Sequence, residues 1–280
     1  MSSTNVVDLA GIAEHLREGE GGIWFSAALS NVSYPEEGNA ISYALEEESF
    51  WFRHRNRCIV ETLRMFPPEG PVFDVGGGNG FVSLALRDAG FTAIVVESGP
   101  VGARHAAARG LRPVICSTLQ DAGFRAGVVP AVGLFDVLEH IADDRVFLKL
   151  VRGLMPTGGR LYVTVPAYNF LWSTEDDLAQ HHRRYTLWSL KAVLEPCGFA
   201  MEFGSYVFAL LPIPIFLMRA LPSRLWRRTS EFERKRAEHR PPRGQSGRLL
   251  EFLLEAELAI LRRRRCIPFG GSCLAVARAT

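Results

Sequence analysis

A chain of 280 residues fits one enlarged domain or a domain with an appendage, because single hydrophobic cores stop growing at about 250–300 residues. Hydrophobic residues make up 48% and charged residues 22%, ordinary globular values that exclude a disordered chain or a polytopic membrane protein. The formal net charge of +2 gives no long-range field for nucleic acid, and no nucleic-acid partner is expected despite the local run Arg262 to Arg265.

The 5 cysteines (58, 116, 197, 266 and 273) show neither CxxC pairing nor zinc-type spacing, which suits a reducing compartment. Met1 to Ala10 has no basic stretch leading into an apolar run, so no secretory leader is expected and the location reads as cytoplasmic. Residues 1–70 read as a helical cap separate from the sheet. Within it Glu46 to Met65 has helical composition and is stopped by Pro67-Pro68.

From Pro71 onward short apolar runs alternate with helical segments, the pattern of β-α-β units in a doubly wound parallel sheet. Strands are predicted at 72–75, 93–96, 113–116, 132–135 and 159–165. Helices are predicted at 81–89, 101–109 and 143–154, each closed by a glycine or proline turn. A helix over 187–197 and a strand over 199–208 complete a core spanning 71–208, and 272–280 supplies a final strand. The intervening 209–271 is too long for an ordinary loop and must carry structure of its own. A mobile connector is expected at 227–247. An amphipathic helix is expected at 248–264, with Leu249, Leu250, Leu253, Leu254, Leu258 and Leu261 on its apolar face. The most apolar stretch, Val207 to Met218, is shorter than the roughly 18–20 residues that span a bilayer and is broken by Pro212 and Pro214.

After the first core strand the chain reads Asp74-Val75-Gly76-Gly77-Gly78-Asn79-Gly80, and then a helix opens. Glycines belong where backbone approaches a ligand closely, and helix-start amides point into that space. A nicotinamide-type G-x-G-x-x-G counted from Gly76 needs glycine where this chain has Phe81, whereas D-x-G-x-G-x-G fits throughout. Glu97 follows the second core strand about twenty residues later, where doubly wound folds place an acid on ribose hydroxyls.

These residues, with Asp136-Val137-Leu138-Glu139-His140 after the fourth core strand, resemble the motifs of class I S-adenosylmethionine-dependent methyltransferases. The resemblance implies a seven-stranded Rossmann-like sheet in the order 3-2-1-4-5-7-6 and S-adenosylmethionine as cofactor, with S-adenosylhomocysteine as product. It also implies a cofactor set of Asp74, Gly76, Gly77, Gly78, Gly80, Glu97 and Asp136, the last beside the methionine part. Where many relatives carry an acidic adenine loop, this chain has Ser117 to Asp121, and Thr118 and Leu119 are the adenine candidates. The cap sequence Ser49-Phe50-Trp51-Phe52-Arg53-His54-Arg55 and the segment His181 to Tyr185 resemble a poorly characterised methyltransferase subgroup that accompanies glycan or secondary-metabolite assembly.

Methyl transfer needs an acceptor held in line and, for a hydroxyl acceptor, a proton acceptor. His181 and His182 are the catalytic candidates, with backbone-bound surface histidines as the competing reading, and His140 reads as a loop-orienting residue. Tyr168, Trp172, Arg183 and Tyr185 are candidate acceptor contacts. An ion pair of the arginines with Glu46, Glu47 or Glu48 competes with that role. Trp51 and Phe52 either stack on substrate or cofactor or are buried against the sheet. Glu175, Asp176 and Asp177 read as solvated or helix-capping acids, and no metal is expected. The acceptor is expected to be a small molecule with a hydroxyl or amine. The insertion, rich in apolar residues from Phe208 to Trp226, reads as a lid or dimer surface. Peripheral contact with a membrane for a lipid-linked substrate is the alternative, and a cofactor-binding protein without transferase activity is a third reading.

Overall fold

The computed structural model describes residues 8–27, 43, 45–225 and 244–280. Among the described residues nine strands form one sheet: β1 (Leu16–Glu18), β2 (Ile23–Ser26), β3 (Val72–Val75), β4 (Ala93–Glu97), β5 (Val114–Cys116), β6 (Ala131–Phe135), β7 (Arg160–Pro166), β8 (Phe199–Val207) and β9 (Ser272–Ala279). Their order is β1-β2-β5-β4-β3-β6-β7-β9-β8. Counted from β3, the seven core strands therefore run 3-2-1-4-5-7-6, with β9 antiparallel to both of its neighbours. The longer helices are α1 (Phe50–Met65), α2 (Phe81–Asp88), α3 (Pro100–Ala108), α4 (Asp144–Leu154), α5 (Leu187–Leu194) and α6 (Gln245–Arg262).

The N-terminal region departs from the purely helical cap that the sequence suggested. Its hairpin β1–β2 extends the sheet, with β2 running parallel to β5 and Trp24 opposite Ile115. The physical reason is the β5 edge, whose backbone donors and acceptors would otherwise stand open. Leu9, Ala13 and Leu16 are buried in the main core beneath the hairpin, while Arg17 and Glu18 put charge on the new edge.

Strand periodicity divides the core into two layers. On one face Phe73, Ile94, Val132 and Leu161 meet Leu148 and Val151 of α4 and Leu190 and Leu194 of α5. On the other Val72, Ala131, Tyr162 and Val276 meet Ile59 and Leu63 of α1 and Val82 and Leu86 of α2. Helix α1 starts at Phe50 rather than Glu46 because the Ser49 hydroxyl caps it, accepting from the Phe52 amide at 3.4 Å.

The insertion between β8 and β9 is helical where described: short helices cover Pro212–Ile215, Phe216–Ala220 (a π-turn) and Leu221–Leu225, and α6 follows. Residues 227–243 of the expected connector lie outside the described residues, as does Trp226. Helix α6 packs Leu254, Leu258 and Leu261 against Cys58 and Met65 of α1, each fully buried leucine contributing about 1.5–3 kcal/mol. Leu249, expected on the apolar face, is instead exposed. Glu257 of α6 is buried: its carboxylate accepts from the Phe208 and Ala209 amides at 2.7 and 2.8 Å and pairs with His54 of α1 at 2.8 Å. That single carboxylate fixes the insertion to the end of β8 and to the cap helix.

Candidate cofactor and acceptor site

The carboxyl ends of β3, β4, β6 and β7 open into a cavity of about 650 Å³, closed from above by α1 and the 211–219 segment. This is where open α/β sheets bind ligands. The loop after β3 forms its floor. Gly76, Gly78 and Gly80 all have positive φ, and a side chain on Gly76 would sit 2.9 Å from Val137. Only glycine lets the loop turn here.

Glu97 ties two loops together. Its carboxylate accepts from the Gly78 amide at 2.8 Å and the Gly99 amide at 2.6 Å, leaving further lone pairs for a ligand. Burial pushes its carboxyl up, and the two amides oppose that shift. Asp74 is fully buried and accepts from Ser83 Oγ at 2.7 Å; burial raises it to about 6. Gly77, Gly78, Asp74 and Glu97 all line the cavity. Gly80 does not. It opens α2, and a Cβ there would be 2.5 Å from Leu111 and 2.8 Å from Ala106, so its role is close packing of the first crossover.

Thr118 and Leu119 are absent from the cavity lining. The Thr118 hydroxyl caps the short helix Leu119–Ala122 by accepting from the Asp121 amide at 3.1 Å, and the Leu119 side chain is buried in the core. Ser98 lines the cavity beside Glu97 instead.

At the other end Asp136 adopts φ +59, accepts from Thr164 Oγ1 at 2.9 Å and pairs with Arg55 of α1. Arg55 lies in the cap motif Ser49 to Arg55, where nothing local signals its pairing with Asp136. Trp51 and Phe52 line the cavity too, and Trp51 also stacks on Phe208 with ring centroids 3.8 Å apart. Glu46 reaches the loop from the cap, pairing with Arg109 at 2.7 Å and accepting from Asn79 Nδ2 at 3.1 Å.

The segment after β7 separates its candidates. His181 lines the cavity; its Nδ1 lies 2.8 Å from Asp176 Oδ1, and its ring meets His140 edge to face at 4.6 Å. Asp176, grouped above with solvated or capping acids, is 1% exposed and closes a capping box with Ser173. Burial would raise it, but hydrogen bonds from His181 and Arg184 outweigh that and hold it at about 2. A carboxylate that takes the Nδ1 proton leaves Nε2 as the ring's lone-pair nitrogen. His140 is lowered to about 4, by burial first and then by His181 and His182, so it is neutral near pH 7. Glu139, also on the cavity, is 1% exposed, and burial raises its carboxyl well above the usual range.

His182, Tyr168, Trp172, Arg183 and Tyr185 do not line the cavity. His182 is exposed and gives its amide to Glu139 O. Tyr185 is a core residue whose hydroxyl donates to Asp144 Oδ2 at 2.8 Å, and Arg183 pairs with the same carboxylate at 2.7 Å rather than with the cap's glutamates. Tyr168 stacks on Tyr206, and Trp172 Nε1 donates to Asp177 at 2.9 Å. The cause is geometric. Arg184 turns to Asp176 while its neighbours Arg183 and Tyr185 turn to Asp144, so consecutive residues of an extended segment serve opposite sides.

A family model described as a methyltransferase domain matches residues 50–202. Ubiquinone biosynthesis O-methyltransferases from Caulobacter sp. K31 and Caulobacter vibrioides are 33% and 32% identical over 100 and 106 residues, 33% and 35% of this chain. The chain spans only 39% and 41% of the length of those relatives. Among solved structures, the methyltransferase partner of the Haloferax volcanii Trm112 activator superposes with TM-score 0.56 at 17% identity, covering 87% of this chain and 95% of that one. Haemonchus contortus phosphoethanolamine N-methyltransferase 2, in complex with S-adenosylmethionine, gives 0.54 at 15% identity over 90% of this chain and 59% of that one. These structures are alike in fold. With more than half its length matched by the domain model, the chain belongs to the methyltransferase domain family.

Proposed function

We propose that the protein methylates a hydroxyl group of a small molecule, with His181 assisting loss of the acceptor proton. The observation that carries this reading is the pairing of His181 with the buried Asp176 at the cavity wall. It orients the imidazole as a proton acceptor, where methylation of an amine would need none. The curated relatives, named as O-methyltransferases, support an oxygen acceptor.

The cavity residues fit the cofactor. The positive-φ glycines leave space that a Cβ would fill, and Glu97 retains acceptor capacity for ribose hydroxyls. When bound, S-adenosylmethionine supplies a methyl group on a positively charged sulfur. Gly76, Gly77, Gly78 and Glu97 would hold its nucleoside end, and Asp136, fixed by Arg55 and Thr164, would border its amino-acid end. Trp51 and Phe52 exclude water from above, and His181 meets the acceptor from the side. In this reading α1 and the 211–219 segment of the insertion act as two lids over the 71–208 core, the cap helix and the insertion being fastened to each other through His54 and Glu257.

Single-turnover methylation across a panel of hydroxyl acceptors tests the proposal. His181→Ala should lose about 10²–10⁴-fold in rate with cofactor affinity intact. His182→Ala should keep the parent rate. Full rate in His181→Ala refutes the assignment.

A second reading, in which the acceptor is drawn from a membrane surface, is favoured by one observation. Leu210, Ile213, Leu217 and Met218 are more than half exposed on the segment whose Leu211, Pro214 and Ile215 line the cavity. Among the described residues no helix is long and apolar enough to cross a membrane, so contact would be peripheral. Co-flotation with anionic vesicles, abolished by Ile213→Asp with Leu217→Asp, is the expected result under this reading.

A further inference from the structure

The corner of the cavity below His181 holds more acceptor atoms than the protein satisfies. Glu139 Oε2 is fully buried with no hydrogen-bond partner. A carboxyl group is seldom left so unless it is protonated, paired or coordinating a metal. The neighbouring guanidinium groups are already engaged, Arg55 with Asp136 and Arg184 with Asp176. Asp136, Glu139 and Asp176 thus set three carboxylates against two arginines, which leaves one negative charge without a counter-charge when all ionise.

One carboxylate oxygen of Glu139 and one ring nitrogen each of His140 and His181 lie within 4.8 Å of one another on the cavity wall. We propose that Glu139, His140 and His181 form a binding site for a divalent transition-metal ion, open toward the acceptor. Two imidazoles and one carboxylate suit manganese, iron, cobalt or zinc better than the all-oxygen sites of calcium and magnesium. Both rings have the outer contacts that fix a metal ligand. Asp176 holds His181 Nδ1 at 2.8 Å, and the Ala179 backbone hydrogen-bonds the His140 ring. A second cluster, His54, Cys58 and Glu257, is less suited because both Glu257 oxygens already accept from backbone amides.

The use of the ion rests on the proposed hydroxyl methylation, although its binding does not. Three protein ligands leave coordination positions free for an acceptor hydroxyl, whose proton is then lost more readily to solvent. In that arrangement His181 assists proton loss by holding the ion instead of taking the proton itself, and Asp176 is a positioning residue acting through His181.

Titration of the chelator-stripped full chain with Co²⁺ tests the site, read by visible d–d absorption. S-adenosylhomocysteine binding is measured on the same samples by calorimetry. We expect one Co²⁺ per chain without a thiolate charge-transfer band. Glu139→Gln, His140→Ala and His181→Ala should each weaken it at least tenfold, and Asp176→Asn about 10–100-fold. S-adenosylhomocysteine binding serves as the folding control for every variant. Intact S-adenosylhomocysteine binding with no Co²⁺ signal, or with Co²⁺ affinity unchanged in the variants, overturns the inference and leaves Glu139 protonated. A thiolate band lost in Cys58→Ser also overturns it, because the ion is then at the His54 cluster. Co²⁺ binding at Glu139 without S-adenosylhomocysteine binding instead overturns the functional reading of the cavity and leaves the metal site standing.

Discussion

Removing the Glu97 carboxylate should act on the cofactor through two routes at once. In the free protein the carboxylate bridges the Gly78 and Gly99 amides at 2.8 and 2.6 Å, so Glu97→Ala releases both loops that frame the cavity. In the complex it is also expected to take both ribose hydroxyl hydrogens. A hydrogen bond to a charged group contributes about 1.5–3 kcal/mol, so two such bonds amount to about 3–6 kcal/mol. At about 1.4 kcal/mol per factor of ten, S-adenosylhomocysteine affinity should fall roughly 10²–10⁴-fold. Glu97→Gln is the sharper probe. Its volume is unchanged, but its NH₂ cannot accept from a backbone amide, so one of the two loop contacts turns repulsive and a large loss is again expected. Isothermal calorimetry on both variants gives the answer, with thermal melting to show that the fold persists. Because burial raises the Glu97 carboxyl, affinity in the parent protein should begin to fall on acidification earlier than for an ordinary carboxylate, as the protonated form loses acceptor capacity. Unchanged affinity in Glu97→Gln would refute the reasoning.

Other outcomes follow from groups around the site. Asp74, at about 6 when folded against an unfolded value of about 3.9, favours the folded state most below the unfolded value and loses that contribution as pH rises through about 6. Asp74→Asn should therefore gain stability relative to the parent between pH 5 and pH 8, by about 1–2 kcal/mol, and an equal difference at both pH values in calorimetry would contradict this. Tyr185→Phe removes one buried hydrogen bond to Asp144 and should cost about 1–3 kcal/mol in denaturant unfolding without changing S-adenosylhomocysteine affinity, since the tyrosine is not on the cavity. Glu257→Ala leaves the Phe208 and Ala209 amides without their acceptor, so hydrogen exchange there and along α6 should accelerate while the β3–β6 core keeps its protection.

The parts of this molecule that could be read ahead of the structure are those encoded over short stretches. The alternation of apolar runs and helical segments from Pro71 gives β3 to β7 and their crossovers, because each unit carries its own period and stop signals. Gly76 to Gly80 and Glu97 are legible by spacing, and they do meet, through the Gly78 amide. The edge hairpin was not legible. Strands of three and four residues carry too little periodicity, and only pairing with β5, about ninety residues away, makes them strands.

Side-chain direction was the other loss. Between Gln180 and Thr186 the chain is extended, and sequence gives no phase for which of Arg183, Arg184 and Tyr185 faces the cavity. Arg184 does, and its neighbours serve Asp144. Asp176 was hidden within an acidic run, although a serine followed by an acid three residues on, here Ser173 and Asp176, is a capping-box signal that could have marked it. Thr118 carried the same ambiguity in reverse: a threonine before Leu119-Gln120-Asp121 is a helix cap before it is a ligand contact. Glu139 and Arg55 have no local signature, since one is defined by lacking a partner and the other by an aspartate 81 residues away.

The central claim is that the cavity binds S-adenosylmethionine with its reactive end toward the corner of His140 and His181. A crystal structure of the protein with sinefungin, whose amine stands where the transferred methyl would be, tests this most directly. The account predicts the ribose on Glu97, the amino-acid end beside Asp136, and the amine facing His181. An amine pointing away from His181, or a ribose that does not touch Glu97, would contradict it.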